Sequence, residues 1–259
     1  TPPTAAGYLC TLPTAYDGVA YARTWIQLGD TFAAGAGASV PAESSWIALL
    51  RGYARTRLGN SPTIINAVGT AAGDLPEQIR LLRALPAWQQ LLARRERALI
   101  FVSYGVEWLQ AVPDAALSTV IAHLALLQGT TNASLIAPDV ASQFSVVLVT
   151  HPDPTAGGIY VPPEYARCTI PALNEPTLAS RATHTQIYAN MHAHLHALAA
   201  RNGWAVVDAD AALAPHAWPS AHASDGCAWR DCDTLNDRGH SMLATLLWAC
   251  LQRTPYVAP

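Results

Sequence analysis

Short apolar runs with strand character recur along this chain, each followed by a longer stretch with helical spacing, and that alternation constrains the fold more than any single motif. Strands are expected at 24–28, 63–66, 98–103, 145–150 and 204–208, and helices at 42–58, 76–94, 114–128, 180–202 and 237–252. A run such as Ala98-Leu99-Ile100-Phe101-Val102-Ser103 is apolar without alternation, the pattern of a strand covered on both faces. Strands joined by helix-length connections pair in parallel, so the expected fold class is α/β: a three-layer α/β/α arrangement around a parallel sheet. With 259 residues and no linker-like stretch, residues 1–259 are expected to form a single domain. Ligand sites in such sheets lie beyond the carboxyl ends of the strands.

The first of those carboxyl ends carries the most telling local sequence. Thr24-Trp25-Ile26-Gln27-Leu28 runs into Gly29-Asp30-Thr31, then Phe32-Ala33-Ala34-Gly35-Ala36-Gly37, a small-residue stretch that lets the chain turn sharply and expose one side chain. After the second strand comes Ala67-Val68-Gly69-Thr70-Ala71-Ala72-Gly73-Asp74-Leu75-Pro76-Glu77-Gln78-Ile79; after the third, Tyr104-Gly105-Val106-Glu107-Trp108-Leu109. Near the C-terminus stands Asp231-Cys232-Asp233-Thr234-Leu235-Asn236-Asp237-Arg238-Gly239-His240. In order and spacing these four blocks resemble those of the SGNH, or GDSL-type, hydrolases, and the resemblance spans roughly residues 24 to 248, nearly the whole chain.

What the resemblance implies for the site is a set of replacements. The nucleophilic serine of Gly-Asp-Ser is Thr31; the glycine that helps hold the oxyanion is kept as Gly69; the oxyanion asparagine is replaced by Glu107. With Asn236 and Gly239 in register, the acidic member is kept as Asp231 and the histidine is replaced by Thr234. A hydroxyl is a poor nucleophile unless a positioned base takes its proton, and a threonine at position 234 cannot do so. The β-methyl of Thr31 further restricts its χ1. An ionised Glu107 would place negative charge where an oxyanion must develop. His240, His216 and His222 are the alternative bases, the last two in the segment leading to the Asp231 block.

Two functional classes follow, with a third that the sequence neither supports nor excludes. One is a non-hydrolytic protein of this fold that binds a small-molecule or carbohydrate ligand, or a partner, at the vestigial pocket, with Asp30, Trp108 and Asp233 as ligand-binding candidates beside the vestigial Thr31, Asp231 and Thr234. Another is an active esterase or carbohydrate deacetylase using Thr31 or a rearranged base. The third is a structural component of an extracellular assembly. Glu107, Asp231 and Asp233 also gather carboxylates, which can divide acid and base roles or hold a hard cation. No cofactor and no metal is expected: His184, His192, His194 and His196 read as a polar helix face beside the buried stripe Ile187, Met191, Leu195 and Leu198.

Charge and composition narrow the partners. The net charge is −3, all 15 cationic residues are arginine, and no basic run marks a nucleic-acid surface. No apolar stretch approaches the ~20 residues of a spanning helix, so no membrane partner is expected. A first residue of Thr1 rather than methionine points to a removed upstream segment. Five cysteines and the acceptor Asn132-Ala133-Ser134 favour a secreted protein with at least one disulfide. Cys227 and Cys232 are close in sequence, and Cys10–Cys168 and Cys10–Cys250 remain open as further pairs.

Overall fold

A computed structural model describes residues 10–12, 22–59, 61–68, 74–104, 113–151, 178–213 and 235–254. In chain order its elements are β1 (Cys10–Thr11), β2 (Thr24–Gly29), α1 (Pro41–Ser44), α2 (Trp46–Leu58), β3 (Thr63–Asn66), α3 (Leu75–Ala84), α4 (Pro86–Arg94), β4 (Ala98–Ser103), α5 (Pro113–Ala125), a 3-10 turn (Pro138–Gln143), β5 (Phe144–Val149), α6 (Leu178–Asn202), β6 (Ala205–Val207), α7 (Ala209–Leu213) and α8 (Asp237–Leu251). The strands form one six-stranded sheet in the order β1-β6-β5-β4-β2-β3. All pairings are parallel except that of β1, which lies antiparallel on β6. Without β1 the order is the doubly wound one of flavodoxin-like sheets, whose crevice opens where the winding reverses. Here that is between β2 and β4.

The two-residue period of a strand sorts the core into two layers. Trp25, Phe101, Val147, Val149, Ala205 and Val207 face one side, where α2, α7 and α8 cover them. Ile26, Leu28, Ile100, Val102, Val146, Leu148 and Val206 face the other, against α3, α4 and α6. Every residue of β4 is buried, as its unalternating sequence predicts.

Two expected helices are each broken in two, for local reasons. The stretch 42–58 divides at Ser45, whose ψ of 151° leaves the helical region and whose hydroxyl donates to the Pro41 carbonyl. The stretch 76–94 divides at Leu85, extended at ψ 132° because the ring of Pro86 disfavours a helical residue before it. The disulfide among the described cysteines joins Cys10 of β1 to Cys250 of α8, with Cα atoms 5.9 Å apart. Cys168, Cys227 and Cys232 lie outside the described residues.

Candidate functional site at the carboxyl edge of the sheet

Strand β2 ends at Gly29, the one residue type this exit permits. Its φ is 133°, and a β-carbon there would overlap the carbonyl oxygen of Ser103 at the end of β4. The Asp30 amide donates to that same carbonyl at 3.0 Å, so the ends of β2 and β4 are tied together at the winding reversal. Asp30 is 1 % exposed, with Oδ1 3.4 Å from the Ala33 amide. Thr31 follows, half-buried, and its carbonyl accepts from the Ala36 amide at 3.1 Å.

Side chains from four elements hold this turn by its backbone. Gln78 of α3 is fully buried; its Oε1 accepts from Gly29 N–H at 2.8 Å and its amide donates back to the Gly29 carbonyl. Gln27 of β2 donates to the Ala33 carbonyl. The indole of Trp46, at the start of α2, donates to the Phe32 carbonyl at 3.2 Å. His240, in the first turn of α8, sets Nε2 3.0 Å from the Ala36 carbonyl. A carbonyl only accepts, so Nε2 carries a proton, while Nδ1 is buried with no hydrogen-bond partner among the described residues. Burial is the main cause that pulls the His240 pKa below its ordinary value, opposed by the Ala36 bond and by the charge of Asp237.

Asp237 is itself anchored: it accepts from Ser39 N–H at 2.7 Å and from the Ser39 hydroxyl at 2.5 Å, which holds its carboxyl below the usual range. Helix α8 therefore grips the segment after Thr31 at two points. Its start is fixed by Asn236, whose side chain accepts from Gly239 N–H at 3.0 Å, so the Asn-x-x-Gly spacing is a helix cap.

A second histidine approaches the turn from β5. The chain passes Thr150 and reaches His151, buried at the carboxyl end of that strand, with its ring centroid 4.5 Å from that of Phe32, the neighbour of Thr31. The His151 carbonyl faces Nε2 of His192 at 3.1 Å, which draws that α6 residue to the sheet edge.

Of the residues nominated from sequence, Asp30 and Thr31 are brought to this edge, and His240 meets the same turn from the other side. Gly69, Glu107, Trp108, Asp231, Asp233 and Thr234, with His216 and His222, lie outside the described residues. Gln78, Trp46 and His151 were not foreseen. Gln78 was visible as the polar member of an apolar helical stripe with Leu75, Ile79 and Leu82, where a buried amide must have a backbone partner. His151 was visible as the second residue beyond a strand.

No family model matches the sequence, and no curated protein is significantly similar to it. Solved structures do match. The extracellular lipase of Streptomyces rimosus superposes with a TM-score of 0.51 at 16 % identity, over 90 % of this chain and 100 % of the lipase. The chain has an SGNH hydrolase-like fold. A phospholipase A1 from Streptomyces albidoflavus NA297 gives a TM-score of 0.47 at 16 % identity, over 90 % and 99 % of the two chains. Within the SGNH-like fold the edge that holds Thr31 is the one at which doubly wound sheets place their ligands. Among the described residues no helix is long and apolar enough to cross a membrane.

Proposed function

We propose that this is a secreted, non-hydrolytic protein of SGNH hydrolase-like fold that binds a carbohydrate or ester-like ligand at the carboxyl edge around Thr31. The observation that carries the reading is the state of His240. Its ring nitrogen contacts the Thr31 turn, and it is fully buried with Nε2 spent on the Ala36 carbonyl. On this reading it holds the turn rather than acting as its base. With Thr234 in the histidine position and Glu107 in the asparagine position, the inherited machinery lacks both its base and one oxyanion donor. Losing the base of such a triad costs about 10⁶ in rate and losing one donor roughly 10²–10³, without simple addition.

The backbone of the turn is held by side chains from four elements, the kind of support a binding platform requires. On this reading Thr31 presents its hydroxyl to the ligand, Asp30 shapes the turn from below, and Trp108, Asp231 and Asp233 are the further candidates for ligand contact. Residues 1–259 act as one domain. Secretion is supported by the Cys10–Cys250 bridge, by the exposed Asn132 acceptor and by the extracellular character of the Streptomyces rimosus lipase.

His151 supports a second reading, an esterase or deacetylase with a rearranged base, because its ring packs on the residue next to Thr31. Hydrolysis of short-chain aryl esters and acetylated oligosaccharides, by the wild type and by Thr31→Ala and His151→Gln, separates the two. No turnover in any of them, with acetylated oligosaccharide bound by the wild type and lost in Thr31→Ala, is the expected outcome. Turnover abolished by both substitutions would replace the binding reading with a Thr31–His151 pair. As a positive control of the scaffold, Thr31→Ser with Glu107→Asn and Thr234→His should gain esterase activity.

A further inference from the structure

Helix α2 carries a surface groove of about 810 Å³ on its outer side, with α1 at one end and Ser61 at the other. At 100° per residue Ala48, Gly52 and Thr56 form its central line, with Arg51 and Arg55 on one flank and Leu49 and Tyr53 on the other; Arg57 also lines it. Gly52 leaves that line open: a β-carbon added there would meet nothing within 4 Å. All three arginines are exposed, and among the described residues none makes an ion pair, in a chain whose net charge is −3. Among the described residues Glu43 is the acidic one that lines the groove, so three guanidinium groups line it with one described carboxylate. Arg55 and Arg57 lie in the last turn, where cations complement the helix dipole, but Arg51 lies two turns inside the helix and has no such reason.

We propose that this groove is a binding site for a linear polysaccharide bearing carboxylate or sulfate groups, distinct from the Thr31 edge and independent of what that edge binds. The 13 residues of α2 give the groove a length of about 20 Å, suited to an extended chain rather than to one small anion. Arg51 and Arg55 are one turn apart, about 6 Å along the axis, so successive acidic groups of a polymer meet successive guanidinium forks. Those forks match the planar oxygens of carboxylates and sulfates in a bidentate manner. A membrane surface fits poorly. Binding to a bilayer combines basic residues with an apolar wedge, and the exposed large hydrophobics of the described chain, Val40 and Leu85, do not line the groove.

The test is equilibrium binding of dextran sulfate and polygalacturonate, with uncharged dextran beside them, at low and moderate salt. Wild-type protein should bind the two charged polymers, lose them as salt rises, and ignore dextran. Arg51→Gln with Arg55→Gln should weaken binding on the order of tenfold, the loss of one or two charge-assisted contacts. Arg94→Gln with Arg201→Gln makes the same change of charge on α4 and α6, across the sheet, and should leave binding unchanged. Equal weakening by both double variants would reduce the effect to net charge and overturn the site, as would no binding by the wild type. Tighter capture of single-stranded DNA or of phosphatidylglycerol vesicles, or full competition by pyrophosphate, would overturn the polysaccharide.

Discussion

Gly29 leaves β2 with a φ of 133° in a place where any β-carbon collides with the Ser103 carbonyl, so two independent steric constraints meet at one residue. Both act on the backbone, and neither is relieved by a rotamer change. Gly29→Ala is therefore expected to lose at least ~4 kcal/mol or fail to fold, read as the urea midpoint or as loss of soluble protein. A variant within 1 kcal/mol of wild type, roughly the effect of an ordinary surface change, would show that the β2 exit is not as described. The sequence disclosed this residue fully, since Gly-Asp after an apolar run is a turn with a mechanism. It did not disclose Gln78, because nothing local says that an amide in α3 will close on a glycine 49 positions earlier. Arg51 and Arg55 were equally plain as letters and silent as a surface, since no run of like charge announces a groove.

Helix α8 does at element scale what Gly29 does at one residue, fixing the Thr31 turn through His240 on Ala36 and Asp237 on Ser39. The sequence predicts the helix over 237–252, and the structure shows its start capped by Asn236 on Gly239 N–H. The sequence leaves His240 open as a base, and packing decides otherwise by burying the ring against the turn. The pH consequence has a definite sign. A buried histidine whose pKa is lowered binds fewer protons when folded than when unfolded, where it titrates at about 6.5. Its contribution is fully present above about pH 6.5 and is lost as pH falls toward the lowered folded value. His123, also lowered by burial, adds in the same direction. His240→Gln keeps a donor for the Ala36 carbonyl without the titration. Its unfolding free energy should therefore fall less than that of the wild type between pH 7 and 5, and parallel curves would assign the dependence elsewhere.

At the scale of the whole molecule, one covalent bond joins the first described strand to the last helix, 240 positions apart. Closing so long a loop restricts the unfolded chain strongly, so Cys10→Ser should cost about 2–5 kcal/mol, matched by reduction of the wild type. An unchanged denaturation midpoint in both would mean that the bridge contributes nothing. The pairing itself was one of several left open by sequence, because cysteine spacing carries no information on which chain ends the fold brings together. The layers were legible: strand runs at 24–28, 63–66 and 98–103 appear where β2, β3 and β4 lie, since burial on both faces writes itself into composition. The breaks at Ser45 and Leu85 were missed because hydrophobic period outweighed the local signals, of which Pro86 was the plainer. What the sequence by itself determined is the alternation of strand and helix, the glycine exit of β2 and the threonine at position 31, all effects that reach only a few residues along the chain. What only the tertiary structure decided is the partner of each buried polar group: Gln78 on Gly29, His240 on Ala36, His151 against Phe32 and Cys10 with Cys250. Those pairings depend on distances in space between residues far apart in the chain, and loop closure and packing of the two layers set them.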